Sequence, residues 1–287
     1  MAIATLTPAA GCKQEPSMQP LTATEGTQFA TSADGTRIAY ERLGSGPAIV
    51  LVGGLLSDRK GGAPLAQSLA DRFTVYTFDR RGRGESGDTS PYSVAKEVED
   101  IAALIKAAGG KVTLYGHSSG AGLALAAAAS GQPLDALILH EPPYGASDAD
   151  SRRQSSEISA KVRRLIAAGQ HQDAVKEFLT YAKVPEQAIE QSVADPKVLR
   201  MAPSMLHDLD VMDMDGGSLL PEDRVRAVKA RTIVLVGGKA PPPFRAAAER
   251  IAALIPEGGW RVLDGQGHVA DPGVESKTIK EFLRQAD

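Results

Sequence analysis

Between Lys111 and Ala129 the chain must change conformation within a few residues. Lys111-Val112-Thr113-Leu114-Tyr115 is short, apolar and β-branched, whereas Ala121 to Ala129 is a strong helix former. Gly116-His117-Ser118-Ser119-Gly120 forms the corner. Gly-x-Ser-x-Gly between a strand and a helix is a nucleophile elbow, a strained turn that lifts the serine oxygen above a sheet edge while its glycines leave room for neighbouring backbone. Ser118 is therefore the candidate nucleophile.

The rest of the chain repeats the strand-then-helix rhythm around this corner. Thr27–Thr31 and Thr36–Arg42 flank Ser32-Ala33-Asp34-Gly35, a hairpin with Asp-Gly at its turn. Ala48–Val52 and Phe73–Phe78 are near-continuous apolar runs of the kind found in central parallel strands, with Ala63–Leu69 as the helix between them. Tyr92–Ala108 has helical spacing and stops at Gly109-Gly110. Leu134–His140 is a further buried strand, ended by Glu141-Pro142-Pro143. The rhythm resumes at Arg231–Val236, Pro243–Leu254, Gly259–Leu263 and Val274–Leu283. These segments predict an α/β fold built on a mostly parallel, eight-stranded sheet with helices on both faces. Residues 144–228 break the pattern: they are helical and amphipathic, punctuated by Pro185, Pro196 and Pro203. Interrupting two strands of one sheet, they read as a helical cap over a core made of residues 27–143 and 229–287.

Composition removes several classes of function. A formal charge of -3 with both signs interspersed gives no electrostatic footprint for nucleic acid. A single cysteine, Cys12, excludes an internal disulfide, and five scattered histidines give no metal-ligand spacing, so no metal is expected. No apolar run reaches the length of a membrane span. Residues 1–26 read as a disordered leader on a soluble, cytoplasmic enzyme. Ala9-Ala10-Gly11-Cys12 also looks like the end of a bacterial lipoprotein signal, which would make the protein exported or lipid-anchored, though no Lys or Arg precedes it.

A serine hydroxyl needs a base to take its proton. His268, in Gly265-Gln266-Gly267-His268 after the last strand, opens on the same carboxyl edge as the elbow and is the candidate. His117 adjoins the serine but points elsewhere. His140 reads equally as a core histidine or a pocket wall, and His171 and His207 belong to the cap. For an oxyanion, backbone N–H groups of Ser119 and of Leu55, in the Gly53-Gly54-Leu55 loop after the third strand, are the expected donors. Gly54, His140, Met205 and Met212 are candidate pocket residues. The cap methionines Met201, Met205, Met212 and Met214 suit an apolar acyl group or simple packing.

Val50-Leu51-Val52-Gly53-Gly54, Asp79-Arg80-Arg81-Gly82-Arg83-Gly84-Glu85-Ser86, the elbow and Gly267-His268 together resemble the α/β-hydrolase fold, in particular its capped, cofactor-free serine esterases and lactonases. The resemblance covers Thr27 to the C-terminus and implies no cofactor. In that family residues 79–86 shape a loop and take no catalytic step. Gly53 stands where many relatives carry His, and Gly237-Gly238-Lys239-Ala240-Pro241 stands where most carry the triad acid, so that Ala240 leaves that place blank. Some relatives, including lactonases acting on resorcylic macrolactones, instead place a Glu after the sixth strand. Glu141 occupies that position, and the order Ser118, Glu141, His268 fits the fold. The resemblance thus implies a Ser-His-Glu hydrolase of a small-molecule ester or lactone. The rival reading is a lyase or small-molecule binding protein on the same scaffold with an impaired triad.

Overall fold

The computed structural model describes residues 26–145, 148–214 and 216–284. The leader and Cys12 lie outside the described residues. Eight strands form one sheet: β1 (Gln28–Thr31), β2 (Arg37–Leu43), β3 (Ala48–Val52), β4 (Thr74–Phe78), β5 (Val112–His117), β6 (Leu134–His140), β7 (Arg231–Gly237) and β8 (Gly258–Leu263). Their spatial order is β1-β2-β4-β3-β5-β6-β7-β8. The Asp34-Gly35 turn makes β1 and β2 an antiparallel pair, and β2 pairs antiparallel with β4. From β4 to β8 every pairing is parallel. This is the α/β-hydrolase fold, and the carboxyl ends of β3, β5, β6 and β7 meet at one edge.

Alternation along each strand divides the core. Ile49 and Leu51 of β3, Tyr115 of β5 and Ile138 of β6 pack towards helices α1 (Ala63–Leu69) and α11 (Pro272–Arg284), represented by Leu65, Ile279 and Phe282. Val50, Leu114 and Leu139 face the other way, towards Ile101 of α2 (Val94–Ala107), Leu123 of α3 (Ser119–Ala129) and Ile251 of α10 (Pro242–Leu254). Helix α3 is buried along nearly its whole length. Its alanines and glycines are therefore what a helix needs to lie close against a sheet.

Between β6 and β7 lie α4 (Ala149–Ala167), α5 (His171–Tyr181), α6 (Glu186–Ala194), α7 (Pro196–Met201), a 3-10 turn at Ala202–Ser204, α8 (Met205–Val211) and α9 (Glu222–Ala227). The amphipathic stripes of α4 and α5 close on a separate apolar cluster containing Val162, Ala174, Val175, Phe178, Met205, Leu209 and Met212. Leu55 and Leu56, from the loop after β3, pack against that cluster. No helix among the described residues is long and apolar enough to cross a membrane.

The elbow glycines are required by contact. A Cβ on Gly120 would stand 2.3 Å from the Val52 carbonyl oxygen, and one on Gly116 would stand 2.4 Å from the Gly120 carbonyl oxygen. Gly120→Ala is therefore expected to lower the urea midpoint, at a cost of about 1–3 kcal/mol from overpacking. Gly259→Ala, where a Cβ would meet nothing within 4 Å, serves as the control and should shift stability by less than about 0.5 kcal/mol.

Candidate active site

Ser118 sits between β5 and α3 with φ 55° and ψ -125°, a conformation that costs a non-glycine residue of order 1–3 kcal/mol. Its N–H donates to the His140 carbonyl at 2.9 Å, and its own carbonyl accepts from Ala121 N–H at 2.8 Å. The hydroxyl makes no capping bond to its own helix. Ser119 is the first residue of α3, so its N–H has no intrahelical acceptor.

Glu141 follows β6 directly, also in the left-handed region with φ 45°. It is buried, with one carboxylate oxygen accepting from His268 Nδ1 at 2.5 Å and the other from Gly237 N–H at 2.8 Å. Burial raises its pKa, but the bonds from His268 and Gly237 outweigh this and hold it below the usual carboxylate value. Because Nδ1 donates to Glu141, the neutral His268 ring carries its lone pair on Nε2, the tautomer a general base requires. Strand β7 thus supplies a backbone donor to the acid where many relatives supply the acid itself. Asp271 is occupied elsewhere: its carboxylate accepts from Gly273 and Val274 N–H at the start of α11.

His117 turns away from the serine and donates from Nε2 to the His268 carbonyl at 2.7 Å, while the two rings pack 4.7 Å apart. Its pKa falls to about 3, through burial first and then the neighbouring His140 and His268. His140 is buried, with Nδ1 2.7 Å from Glu275 and Nε2 lacking any hydrogen-bond partner among the described residues. It also lines a cavity of about 230 Å³ on the α1 and α11 side, together with Gly54, His117, Tyr115 and Glu275. Both of the alternatives open for His140 in the sequence are thus partly met. Met205 and Met212 do not line that cavity; they are buried in the apolar cluster of the helical segment.

Gly54 lies against the elbow, where a Cβ would stand 3.1 Å from both the His117 carbonyl oxygen and Ser118 Cβ. The glycine is what lets the loop carrying Leu55 approach Ser118. Ser118 Oγ and His268 are not hydrogen-bonded to one another among the described residues. The arrangement brings a hydroxyl, an imidazole bonded to a buried carboxylate, and the loop and helix start that carry the Leu55 and Ser119 amides to one sheet edge.

The resemblance implies that residues 79–86 shape a loop beside the site and take no catalytic step, and the structure sets Arg80 and Arg83 at its border. Arg80, Arg83, Glu97 and Asp208 are each at most 2% exposed. Arg80 pairs with Glu97 at 2.6 Å and Asp208 at 2.6 Å, and Arg83 pairs with Asp208 at 2.5 Å. The clustering of three arginines beside glycines was a visible signal. Asp208, which pairs with Arg80 and Arg83 and lies 125 residues from the latter, was not.

The fold defines the class, and the chain belongs to the alpha/beta hydrolase family, whose model matches residues 49–276. An alpha/beta hydrolase from Sphaerobacter thermophilus DSM 20745 has a similar structure, with a TM-score of 0.80 and 42% identity over 89% of this chain and 100% of that one. An esterase from Thermogutta terrifontis shares the fold, with a TM-score of 0.68 and 24% identity over 91% of this chain and 99% of that one. Among curated relatives, an N-formylmaleamate deformylase of Pseudomonas putida is 40% identical over 117 residues. That match spans 39% of this chain and 44% of the deformylase, so this chain covers under half of that relative's length.

The depressed His117 pKa carries a sign. Between about 3 and the ordinary value of 6.5 the unfolded chain binds a proton that the native protein does not, so stability falls as pH drops through this window. His117→Gln should flatten the decline of the urea midpoint between pH 6.5 and 4 relative to wild type, a difference read from parallel denaturation series.

Proposed function

We propose that the protein is a serine hydrolase that cleaves a carboxylic ester or lactone through an acyl-enzyme. The observation that carries this reading is the 2.5 Å bond from His268 Nδ1 to the buried Glu141 carboxylate beside the strained Ser118. Ser118 Oγ attacks the carbonyl carbon and its proton passes to His268 Nε2; the oxyanion is met by the N–H groups of Leu55 and Ser119. His268⁺, stabilised by Glu141, then gives that proton to the leaving alkoxide. Water enters, loses a proton to the same nitrogen, attacks the acyl carbon, and Ser118 leaves with the proton returned to it. The helical segment of residues 144–228 acts as a cap that roofs the site and selects the acyl group.

A second reading has its own support. The deformylase relative acts, by its name, on an N-formyl group. The same machinery cleaves an amide if His268⁺ protonates the departing nitrogen. A panel of esters, lactones and N-formyl amides with wild type beside Ser118→Ala separates the two, because the bond cleaved at the highest kcat/KM names the class.

A fluorophosphonate probe is expected to label Ser118 and no other serine, as read by peptide mass spectrometry; folded protein that stays unlabelled favours the lyase or binding-protein reading. Glu141→Gln should cut kcat by about 10⁴-fold, the cost seen when an orienting acid is neutralised. Full activity in that variant, with loss of activity in Asp271→Asn, reassigns the acid.

A further inference from the structure

The N–H of Leu55 serves an oxyanion only if its peptide plane is turned towards Ser118. In a trans peptide the C=O and N–H point in opposite directions, so whatever holds the Gly54 carbonyl also aims the Leu55 amide. Arg83 Nη1 donates to that carbonyl at 2.7 Å. The only other hold on it among the described residues is Ser57 N–H at 3.3 Å, closing a turn in which Leu56 is forced to φ 57°. A left-handed leucine does not favour this turn, so the orientation depends on a group outside it.

That group is itself fixed. Arg83 Nη2 meets Asp208 at 2.5 Å, Nε donates to Ser204 Oγ at 3.0 Å, and Nη1 also reaches the Ser57 carbonyl at 3.2 Å. The other Asp208 oxygen accepts from Ser119 Oγ at 2.7 Å and from Arg80 at 2.6 Å. One carboxylate on α8 therefore tethers both residues whose amides face the carbonyl oxygen: Ser119 directly, and Leu55 through the Arg83 guanidinium and the Gly54 carbonyl.

We propose that Arg83 and Asp208 are positioning residues for the oxyanion hole, and that the helical segment, by supplying Asp208, is a condition for the hole to be formed. This rests on the serine-hydrolase reading above. Neither side chain touches substrate; both act through the orientation of backbone. A guanidinium suits the role because its planar fork reaches a carbonyl and a carboxylate at once, which a lysine ammonium does not.

The test compares Arg83→Met, Arg83→Lys and Asp208→Asn with Arg81→Met. Arg81 is a buried arginine of the same loop that pairs with Asp100 and Asp34 and has no bond to residues 53–57. Each variant is assayed on the best p-nitrophenyl ester for kcat and KM, and ¹⁵N-labelled protein is followed at the assigned Leu55 amide resonance. Arg83→Met should lose kcat by roughly a hundredfold, the scale of one missing oxyanion donor, with KM little changed and the Leu55 resonance displaced. Arg83→Lys should fall between it and wild type, and it keeps the test open if the methionine variant does not fold. Asp208→Asn should show the same kcat signature, and the double variant with Arg83→Lys should be no worse than the poorer single one. Folded Arg81→Met should keep kcat and the Leu55 resonance while losing thermal stability. A rise in KM at constant kcat, an unmoved Leu55 resonance, or an equal kcat loss in Arg81→Met overturns the proposal. If wild type hydrolyses no substrate, the functional reading fails and the Leu55 resonance alone decides: displacement in the Arg83 variants supports the positioning role, and its absence refutes it.

Discussion

Everything at the carboxyl edge of the sheet depends on how closely three pieces of backbone approach one another. The elbow rests against the end of β3, and no side chain fits between Gly120 and the carbonyls of Val52 and Gly53. This contact ties the turn carrying Ser118 to the loop carrying Leu55, so the Ser118 hydroxyl and the Leu55 amide are set by one piece of packing. It also explains why α3 is so poor in bulky residues near its start: any Cβ at Gly116 or Gly120 would push helix, strand and loop apart together. The strain at Ser118 and Glu141 is tolerated because each N–H is committed to a neighbouring strand residue, to His140 and Leu235 respectively.

Around this backbone contact the protein buries charge. Arg80 and Arg83 are balanced within the interior by Glu97 and Asp208, and Arg81 by Asp100. Such groups are expensive to desolvate and yield little net stability when paired, whereas removing one partner leaves a stranded charge. Their value is geometric. Guanidinium forks fix the directions of carbonyls and carboxylates more tightly than apolar packing does, and here they do so where a loop from the sheet, the elbow and α8 converge.

Much of this was legible in the sequence. Strand and helix positions followed from apolar runs and from Gly-Gly or Pro-Pro stops, and the structure moves most boundaries by only a residue or two. Strand β5 extends slightly further into the elbow than the propensities suggest, because His117 still pairs with His140 of β6. Glu141 was reachable through the resemblance: Ala240 stands where most of the family carries the acid, and some of its members carry a Glu after the sixth strand instead. What the sequence did not carry were contacts made by residues far apart in the chain. Asp208 is one of two acidic residues in its helix, and nothing local marks it as a partner of Arg80, Arg83 and Ser119. The roles of His117 and His140 were equally hidden, since each depends on which way a ring turns against neighbours from α11 or the last loop.

The position of the acid has a mechanical side. Glu141 is joined to the helical segment by only Pro142 and Pro143, so the carboxylate bonded to His268 sits at the root of that segment. The two prolines stiffen that root, Tyr144 N–H turns back on the Pro142 carbonyl at 2.8 Å, and the Tyr144 ring is buried in the core cluster. The junction is an anchored bracket: Gly237 N–H holds the Glu141 carboxylate on the sheet side and the buried Tyr144 ring pins the chain just after the two prolines, so the carboxylate facing His268 is fixed on both sides of the Pro-Pro link.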